Sequence, residues 1–148
     1  MRLVVQRVSS ASVTVDGRIV GRIDRGLLVL AGAEVGDGED QVAAAASRLS
    51  HLRLFDDEQG RMNLDVRQAG GSVLLVSQFT LAASTRKGRR PSFDRAARPE
   101  VAQPLLASLR RRLEDAGLTV EEGRFGARMR VELANEGPVT FVLEFRGS

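Results

Sequence analysis

The chain has 148 residues, 43% of them hydrophobic, and a formal net charge of +3, which suits one domain with its own hydrophobic core. No apolar run approaches the roughly 18 residues of a membrane-spanning helix, and the first residues lack the long apolar stretch of a signal peptide. With no cysteine and one histidine, His51, the composition argues against disulfides, thiol chemistry and the usual zinc sites.

The first quarter of the chain has the pattern of a β-meander. Short runs rich in valine, isoleucine and leucine alternate with turn residues. Asp16-Gly17 is a hairpin signal, because a type I′ turn needs positive φ at both central positions. The last of these runs is apolar throughout, so we expect it to be buried on both faces. The predicted strands are 4–8, 13–15, 18–23 and 27–31.

Two helices are predicted in the remainder. The first runs from about Glu39 to Ser50 and has one apolar face. The second begins near Pro99, where proline is favoured; Pro104 should shorten or bend its first turn. Further strands are predicted at 52–55, 62–64, 73–76, 120–121, 129–133 and 139–145. The pattern predicts an α/β protein with a single domain over 1–148 and two main helices packed on a β-sheet.

The stretch 73–81 begins as an apolar run and ends in the polar residues Ser77, Gln78 and Thr80. A buried strand that delivers hydroxyls, an amide and backbone N–H groups beside a basic segment suits chemistry on an anionic substrate. A core strand whose last residues happen to be polar fits the same pattern. Both interpretations stay open at this point.

A basic segment follows that stretch. Between Thr85 and Arg98 lie six basic residues and one acid, Asp94. A local basic patch is what phosphate binding requires, whereas the net charge alone does not indicate a nucleic-acid partner. A solvated loop explains the same composition equally well.

The usual side-chain catalysts are missing. The sequence contains neither a P-loop nor a glycine-rich dinucleotide fingerprint, and His51 lies at a predicted helix end, which disfavours a catalytic triad. An enzyme with this sequence must obtain activation from backbone N–H groups, hydroxyls, bound water or the substrate. The N–H groups around Phe79 and Thr80 are the candidates, because preorganised backbone donors stabilise an oxyanion without a titrating side chain.

Two motifs, Ser-Gln-Phe-Thr-Leu at 77–81 and Asn-Glu-Gly-Pro-Val-Thr at 135–140, resemble the paired signatures of the D-aminoacyl-tRNA deacylases. Segments 5–13, 85–93 and 126–129 agree, so the resemblance covers the whole chain. It implies a homodimeric cytoplasmic hydrolase with a three-layer β/β/α fold and no metal or organic cofactor. It also implies an editing activity that cleaves D-amino acids, and glycine mischarged onto alanine tRNA, from the terminal adenosine.

The resemblance also implies roles for individual residues. Gly137 and Pro138 would form a Gly-cisPro element that enters the active site of the partner subunit. Their carbonyls would hold the substrate amino group and leave no room for an L side chain. An ordinary turn between two strands is the alternative. The implied catalytic residues are Ser77, Gln78, Phe79 and Thr80, the pocket residues Met129 and Asn135, and the tRNA-binding residues Arg86, Lys87, Arg89 and Arg90.

Several alternatives remain open on the sequence alone. The Thr80 hydroxyl could act as a nucleophile, although no base is evident beside it; the family mechanism instead uses the RNA 2′-hydroxyl to help activate water. Met129 could be a core residue. The protein could also be a tRNA-binding module without catalysis, or a small-molecule esterase that uses Ser77 or Thr80.

Overall fold

Eight strands and two α-helices make up the part of the chain that the computed structural model describes, residues 1–147. Within that range no helix has the length and apolarity needed to cross a membrane. In chain order the elements are β1 (Arg2–Val15), β2 (Arg18–Ile23), β3 (Gly26–Gly32), α1 (Glu39–His51), β4 (Phe55–Asp56), β5 (Met62–Leu64), β6 (Ser72–Ser77), a 3₁₀ turn (Phe79–Ala82), α2 (Pro99–Asp115), β7 (Val120–Glu122) and β8 (Arg130–Glu144).

Strand β1 organises the sheet. Its first half pairs antiparallel with β3, its second half pairs antiparallel with β2, and β8 runs antiparallel along nearly its whole length. The predicted strands 4–8 and 13–15 are therefore one strand, because residues 10–12 between them stay paired with β8. The predicted meander order is also wrong: β3 lies against β1 and not against β2. The hairpin at Asp16-Gly17 is confirmed, with φ values of 50° and 77°.

The rest of the sheet is parallel. Strand β6 pairs with β3 and β7 pairs with β6, which gives the order β2-β1-β3-β6-β7. The sheet curls until β2 approaches β7. A Cβ atom at Gly21 would lie 2.5 Å from the carbonyl oxygen of Glu122, so only glycine permits this approach. The sheet is consequently almost closed into a barrel.

Two hydrophobic cores lie on the two faces of the sheet. The larger one contains Leu27 and Val29 of β3 and the apolar faces of both helices. The smaller one lies inside the curl and contains Leu28 from the same strand together with Val13 and Leu74. Successive side chains of a strand point to opposite faces, so β3 is buried on both sides, as its apolar run predicted. The predicted class, two helices on a β-sheet in a β/β/α arrangement, is confirmed.

Both predicted helices are present. Helix α1 ends one residue later than predicted, and Pro104 lies within α2 without shortening it. Glu39 links the helices, because its carboxylate accepts hydrogen bonds from Ser108 Oγ (2.7 Å) and Arg112 Nη2 (3.2 Å). The bond from Ser108, supported by Arg112, holds the pKa of Glu39 below its usual value. The predicted strand 52–55 is mostly wrong, because the residues after α1 form a tight turn before β4.

The second signature motif interrupts β8. Asn135 pairs with Val8 and Thr140 pairs with Gln6, so residues 136–139 stand opposite a single residue of β1. They form a four-residue bulge, here called the 136–139 bulge, within one continuous strand. The predicted turn between two separate strands is therefore wrong. The Asn135 Nδ2 group closes the base of the bulge by donating to the carbonyl oxygens of Arg7 (2.9 Å) and Val139 (3.0 Å).

The Arg7 side chain holds this bulge in place through a hydrogen bond. Its Nε donates to the carbonyl oxygen of Glu136 at 3.0 Å, and its Nη1 donates to that of Leu54 at 2.8 Å. The Asp56 carboxylate lies 3.5 Å from the same Nη1. The Arg7 side chain is only 12% exposed, so these bonds form in a partly desolvated position. One side chain thus ties the bulge to the segment that follows α1.

Replacing Arg7 by methionine keeps the apolar stem but removes the donors to two backbone carbonyls. We expect the free energy of unfolding to fall by about 1–3 kcal/mol, the cost of leaving the part-buried carbonyl of Leu54 unpaired. Chemical denaturation, monitored by circular dichroism, measures this free energy of unfolding. The matched control is Arg18→Met on the exposed β1–β2 hairpin, with an expected change within about 0.5 kcal/mol. Equal losses in the two variants would contradict this account.

Candidate functional site

The first motif lies where β6 ends. Ser77 is the last residue of β6 that pairs with β3, and the N–H of Gln78 still donates to the Ala31 carbonyl at 2.8 Å. The chain then turns into the 3₁₀ segment, where the N–H of Leu81 donates back to Gln78 at 3.2 Å. The sheet therefore positions this motif through its backbone.

Two backbone donors of the motif are unengaged. Within residues 1–147 the N–H groups of Phe79 and Thr80 donate no hydrogen bond to another residue, and both residues are exposed. The Thr80 hydroxyl accepts a hydrogen bond from the side-chain amide of Gln78. His51 contacts the Ser47 carbonyl at the end of α1 and lies outside this arrangement. The site thus offers two backbone donors and no adjacent histidine.

A cavity of about 510 Å³ opens beside these residues, and we call it the apolar cavity. Its volume falls within the range typical of small-molecule sites, about 300–1,000 Å³. Ser77 and Gln78 supply its polar side chains, while Thr80 does not line it. The other lining residues are Ala31, Ala33, Val76, Phe79, Ala97, Pro99, Ala102, Leu106, Phe125, Gly126, Ala127, Met129 and Val131.

Met129 was predicted to lie in the pocket, and it lines this cavity while it also packs against the smaller core. Gly123 makes room for it, because a Cβ atom there would lie 2.5 Å from the Met129 sulfur. Both interpretations of the methionine, pocket wall and core residue, therefore describe its position. Whether it contacts a substrate stays a prediction.

Within one chain, the second motif does not lie at the apolar cavity. Asn135, Gly137 and Pro138 do not line the apolar cavity, and the Asn135 amide is committed to the base of the 136–139 bulge. The peptide bond between Gly137 and Pro138 is cis, and both residues are exposed. Their roles in selectivity and in the substrate pocket stay predictions for a site formed with a second chain.

The predicted tRNA-binding residues form an exposed loop at the rim of the apolar cavity. Backbone hydrogen bonds of 2.8 Å in both directions between Ser84 and Ser92 close its base. Phe93 then packs on Phe79 with ring centroids 5.2 Å apart. The four exposed cationic residues carried on this loop are Arg86, Lys87, Arg89 and Arg90.

A second cavity, of about 520 Å³, lies beside the first, and no sequence pattern predicted it. We call it the charged cavity. Arg110 lines it and pairs with Glu122 (2.6 Å) and Glu114 (3.4 Å). Burial acts to lower the pKa of Arg110, but the two carboxylates outweigh it and raise that pKa. The other polar lining residues are Ser77, Gln103, Glu121 and Arg124.

Solved structures resemble this fold closely. A structure titled c-Myc DNA Unwinding Element Binding Protein superimposes with a TM-score of 0.93 and 37% sequence identity, covering 99% of this chain and 100% of that one. A probable eukaryotic D-amino acid tRNA deacylase superimposes with a TM-score of 0.81 over 96% of this chain and 97% of that one. At 18% identity the second likeness supports the fold alone.

Sequence comparison identifies the family. The D-aminoacyl-tRNA deacylase of Roseiflexus castenholzii is 53% identical over 144 residues, which cover 97% of this chain and 92% of that protein. The D-aminoacyl-tRNA deacylase of Brevibacillus brevis is also 53% identical, over 97% of this chain and 99% of that protein. The family model described as D-Tyr-tRNA(Tyr) deacylase matches residues 4–144. The chain therefore belongs to the D-Tyr-tRNA(Tyr) deacylase family, a family of hydrolases.

Proposed function

We propose that this protein hydrolyses the ester between a D-amino acid and the terminal adenosine of tRNA, releasing free tRNA. The observation that carries the proposal is the apolar cavity beside two unengaged backbone donors, those of Phe79 and Thr80. An apolar cavity suits a nucleoside base, and backbone donors suit an ester carbonyl. Membership of the family supports the same substrate class.

In the proposed reaction the N–H groups of Phe79 and Thr80 donate to the carbonyl oxygen of the ester. Water attacks the carbonyl carbon, and negative charge develops on that oxygen in the tetrahedral intermediate. One preorganised donor of this kind contributes about 3 kcal/mol of transition-state stabilisation. The bond to the ribose oxygen then breaks, and that oxygen takes up a proton.

The substrate itself supplies the missing base in this proposal. The 2′-hydroxyl of the terminal ribose lies next to the ester and helps to activate the attacking water. The Thr80 hydroxyl already accepts a hydrogen bond from Gln78, which suits a positioning role better than nucleophilic attack. No step requires a titrating protein side chain.

Chiral selectivity is proposed to come from a second copy of the chain. The 136–139 bulge is exposed except for Val139, and it does not line the apolar cavity of its own chain. Strand β8 also exposes Leu133, Phe141 and Val142, apolar side chains that suit contact with another copy. Two copies would thereby place the bulge of each at the cavity of the other.

In this arrangement the carbonyls of Gly137 and Pro138 hold the α-ammonium group of the substrate. An L side chain then points into the bulge and is rejected, whereas a D side chain points away. Glycine has no side chain to reject, so glycine mischarged onto alanine tRNA would also be removed. The enzyme would act in the cytoplasm, where aminoacyl-tRNA is made and used.

The basic loop is proposed to contact phosphates of the acceptor end. Its four cationic side chains are exposed, and the loop is joined to the cavity rim through Phe93 and Phe79. Contacts of this kind position the nucleic acid without reading its sequence. Binding should therefore weaken as the salt concentration rises.

Two substitutions at one position separate backbone from side-chain catalysis. Thr80→Ala removes the hydroxyl but keeps the N–H, and we expect kcat on D-Tyr-tRNA to stay within about tenfold of wild type. Thr80→Pro removes the N–H donor at a position near a helix start, where proline is tolerated. We expect it to lower kcat by about 10²–10³-fold.

Ester loss from D-Tyr-tRNA, with circular dichroism to verify folding, measures both effects. An inactive Thr80→Ala variant would contradict the proposal and favour an esterase with a threonine nucleophile. Wild-type protein that binds tRNA without any ester loss at stoichiometric concentration would instead indicate a tRNA-binding module.

Selectivity is tested at the tip of the 136–139 bulge. Pro138→Ala trims the surface that is proposed to exclude an L side chain. We expect the ratio of kcat/KM for D-Tyr-tRNA over L-Tyr-tRNA to fall at least about tenfold, the effect of losing about 1.4 kcal/mol of discrimination. Pro104→Ala, in the exposed face of α2, is the matched control. Wild-type protein that hydrolyses both substrates equally would overturn the chirality claim.

The basic loop is tested through the salt dependence of tRNA binding. Arg89→Gln with Arg90→Gln should reduce the slope of log Kd against log salt by about 2, about 1 for each phosphate contact. Arg18→Gln with Arg61→Gln removes two exposed arginines elsewhere and should leave the slope unchanged. Duplex DNA serves as a competitor, because one solved relative carries a DNA-binding name. An equal slope in both double variants would exclude the loop from the contact.

A further inference from the structure

We propose that the charged cavity binds the nucleotide that precedes the terminal adenosine, and that Glu121 reads its cytosine base. Every tRNA ends in the sequence CCA, so this nucleotide is always a cytidine. The inference rests on the proposed function, because it assumes that the terminal adenosine occupies the apolar cavity. It assigns a substrate contact to residues that lie outside both signature motifs.

The two cavities are neighbours of similar size. Ser77, Leu106 and Phe125 line both of them, and their volumes are about 510 and 520 Å³. Consecutive nucleotides of a single strand need adjoining compartments, and their bases are commonly stacked on aromatic rings. Phe125 lines both cavities, so it is placed to contact a ligand in either one.

The linings of the two cavities differ in polarity. The apolar cavity contains no charged side chain, whereas Arg110, Glu121, Glu122 and Arg124 line the charged cavity. Pairing with Glu114 and Glu122 occupies Arg110, which also donates to the Val120 carbonyl at 3.3 Å. Polar contacts to a ligand in this cavity must therefore come from residues outside this paired group.

Glu121 and Arg124 are the unengaged charges. Within residues 1–147 neither side chain forms an ion pair or a hydrogen bond with another residue. Glu121 lies on β7, held in register with Leu74 of β6, and is half-buried. A half-buried carboxylate on a sheet strand is a defined acceptor, whereas Arg124 follows β7 and is exposed.

These two charges suit a cytidine nucleotide. A carboxylate accepts a hydrogen bond from the exocyclic amine of cytosine, which is a recurring protein contact to that base. Uracil carries a carbonyl oxygen at the same place, so the same carboxylate would repel it. The Arg124 guanidinium is suited to the phosphate that links the two nucleotides.

The test uses D-tyrosyl esters of adenosine, of the dinucleotide CpA and of UpA. We expect kcat/KM to be at least about tenfold higher for the CpA ester than for the adenosine ester, because the second nucleotide adds a stacking contact. Replacing CpA by UpA should lower kcat/KM by at least about tenfold, the effect of one lost hydrogen bond to a charged group. Full-length D-Tyr-tRNA with uridine at this position should show the same preference.

Two variants assign the effect to residues. Glu121→Gln can accept from cytosine or donate to uracil, so it should remove the preference for CpA over UpA. Arg124→Gln should reduce the gain in kcat/KM from adenosine ester to CpA ester. Arg128→Gln, an exposed arginine in the same loop that lines neither cavity, is the matched control and should keep both ratios.

The outcomes separate this inference from the proposed function. Equal kcat/KM for the adenosine and CpA esters, with both hydrolysed, overturns the charged-cavity inference and leaves the deacylase function in place. A preference for CpA over UpA that survives in Glu121→Gln overturns the role of that residue. Failure to hydrolyse any of these esters or D-aminoacyl-tRNA overturns the proposed function itself.

Discussion

The pairing of β1 with three other strands is the constraint on which the rest of the structure depends. Strands β3 and β2 pair with successive halves of β1, and β8 pairs with it along nearly its whole length. Because β3 is held there, β6 is held parallel to it and delivers the first motif at the end of the sheet. Because β8 is held there, the second motif must project as a bulge. A single strand therefore positions both motifs.

The candidate site is built from backbone groups more than from side chains. The donors of Phe79 and Thr80 are directed by strand pairing and by the 3₁₀ turn, and the bulge is held by Asn135 and Arg7 through carbonyl oxygens. Backbone groups have no pKa near neutrality, so the protein's own groups at this site contribute little pH dependence. It should instead be sensitive to substitutions that shift the chain by fractions of an ångström.

Local sequence patterns predicted the features of the fold that short-range interactions determine. The Asp16-Gly17 turn, both helices and the double burial of β3 follow from turn propensity, periodicity and strand geometry. Long-range pairing was not predictable, since nothing near 135–140 distinguishes a turn from a bulge opposite β1. Arg7 and the charged cavity were missed for the same reason: their contacts join residues that are far apart in the sequence.

The absence of a side chain at Gly123 affects the shape of the apolar cavity, because it determines where the Met129 side chain lies. The Met129 sulfur occupies the space that any side chain at 123 would need, with only 2.5 Å between the two positions. A methyl group added there would force the thioether to move, and the cavity is among the spaces next to it. The volume of the apolar cavity thus depends partly on the absence of a Cβ atom at position 123. Relatives that differ at this one position could differ in the size of the ligand they admit while sharing every residue of both motifs.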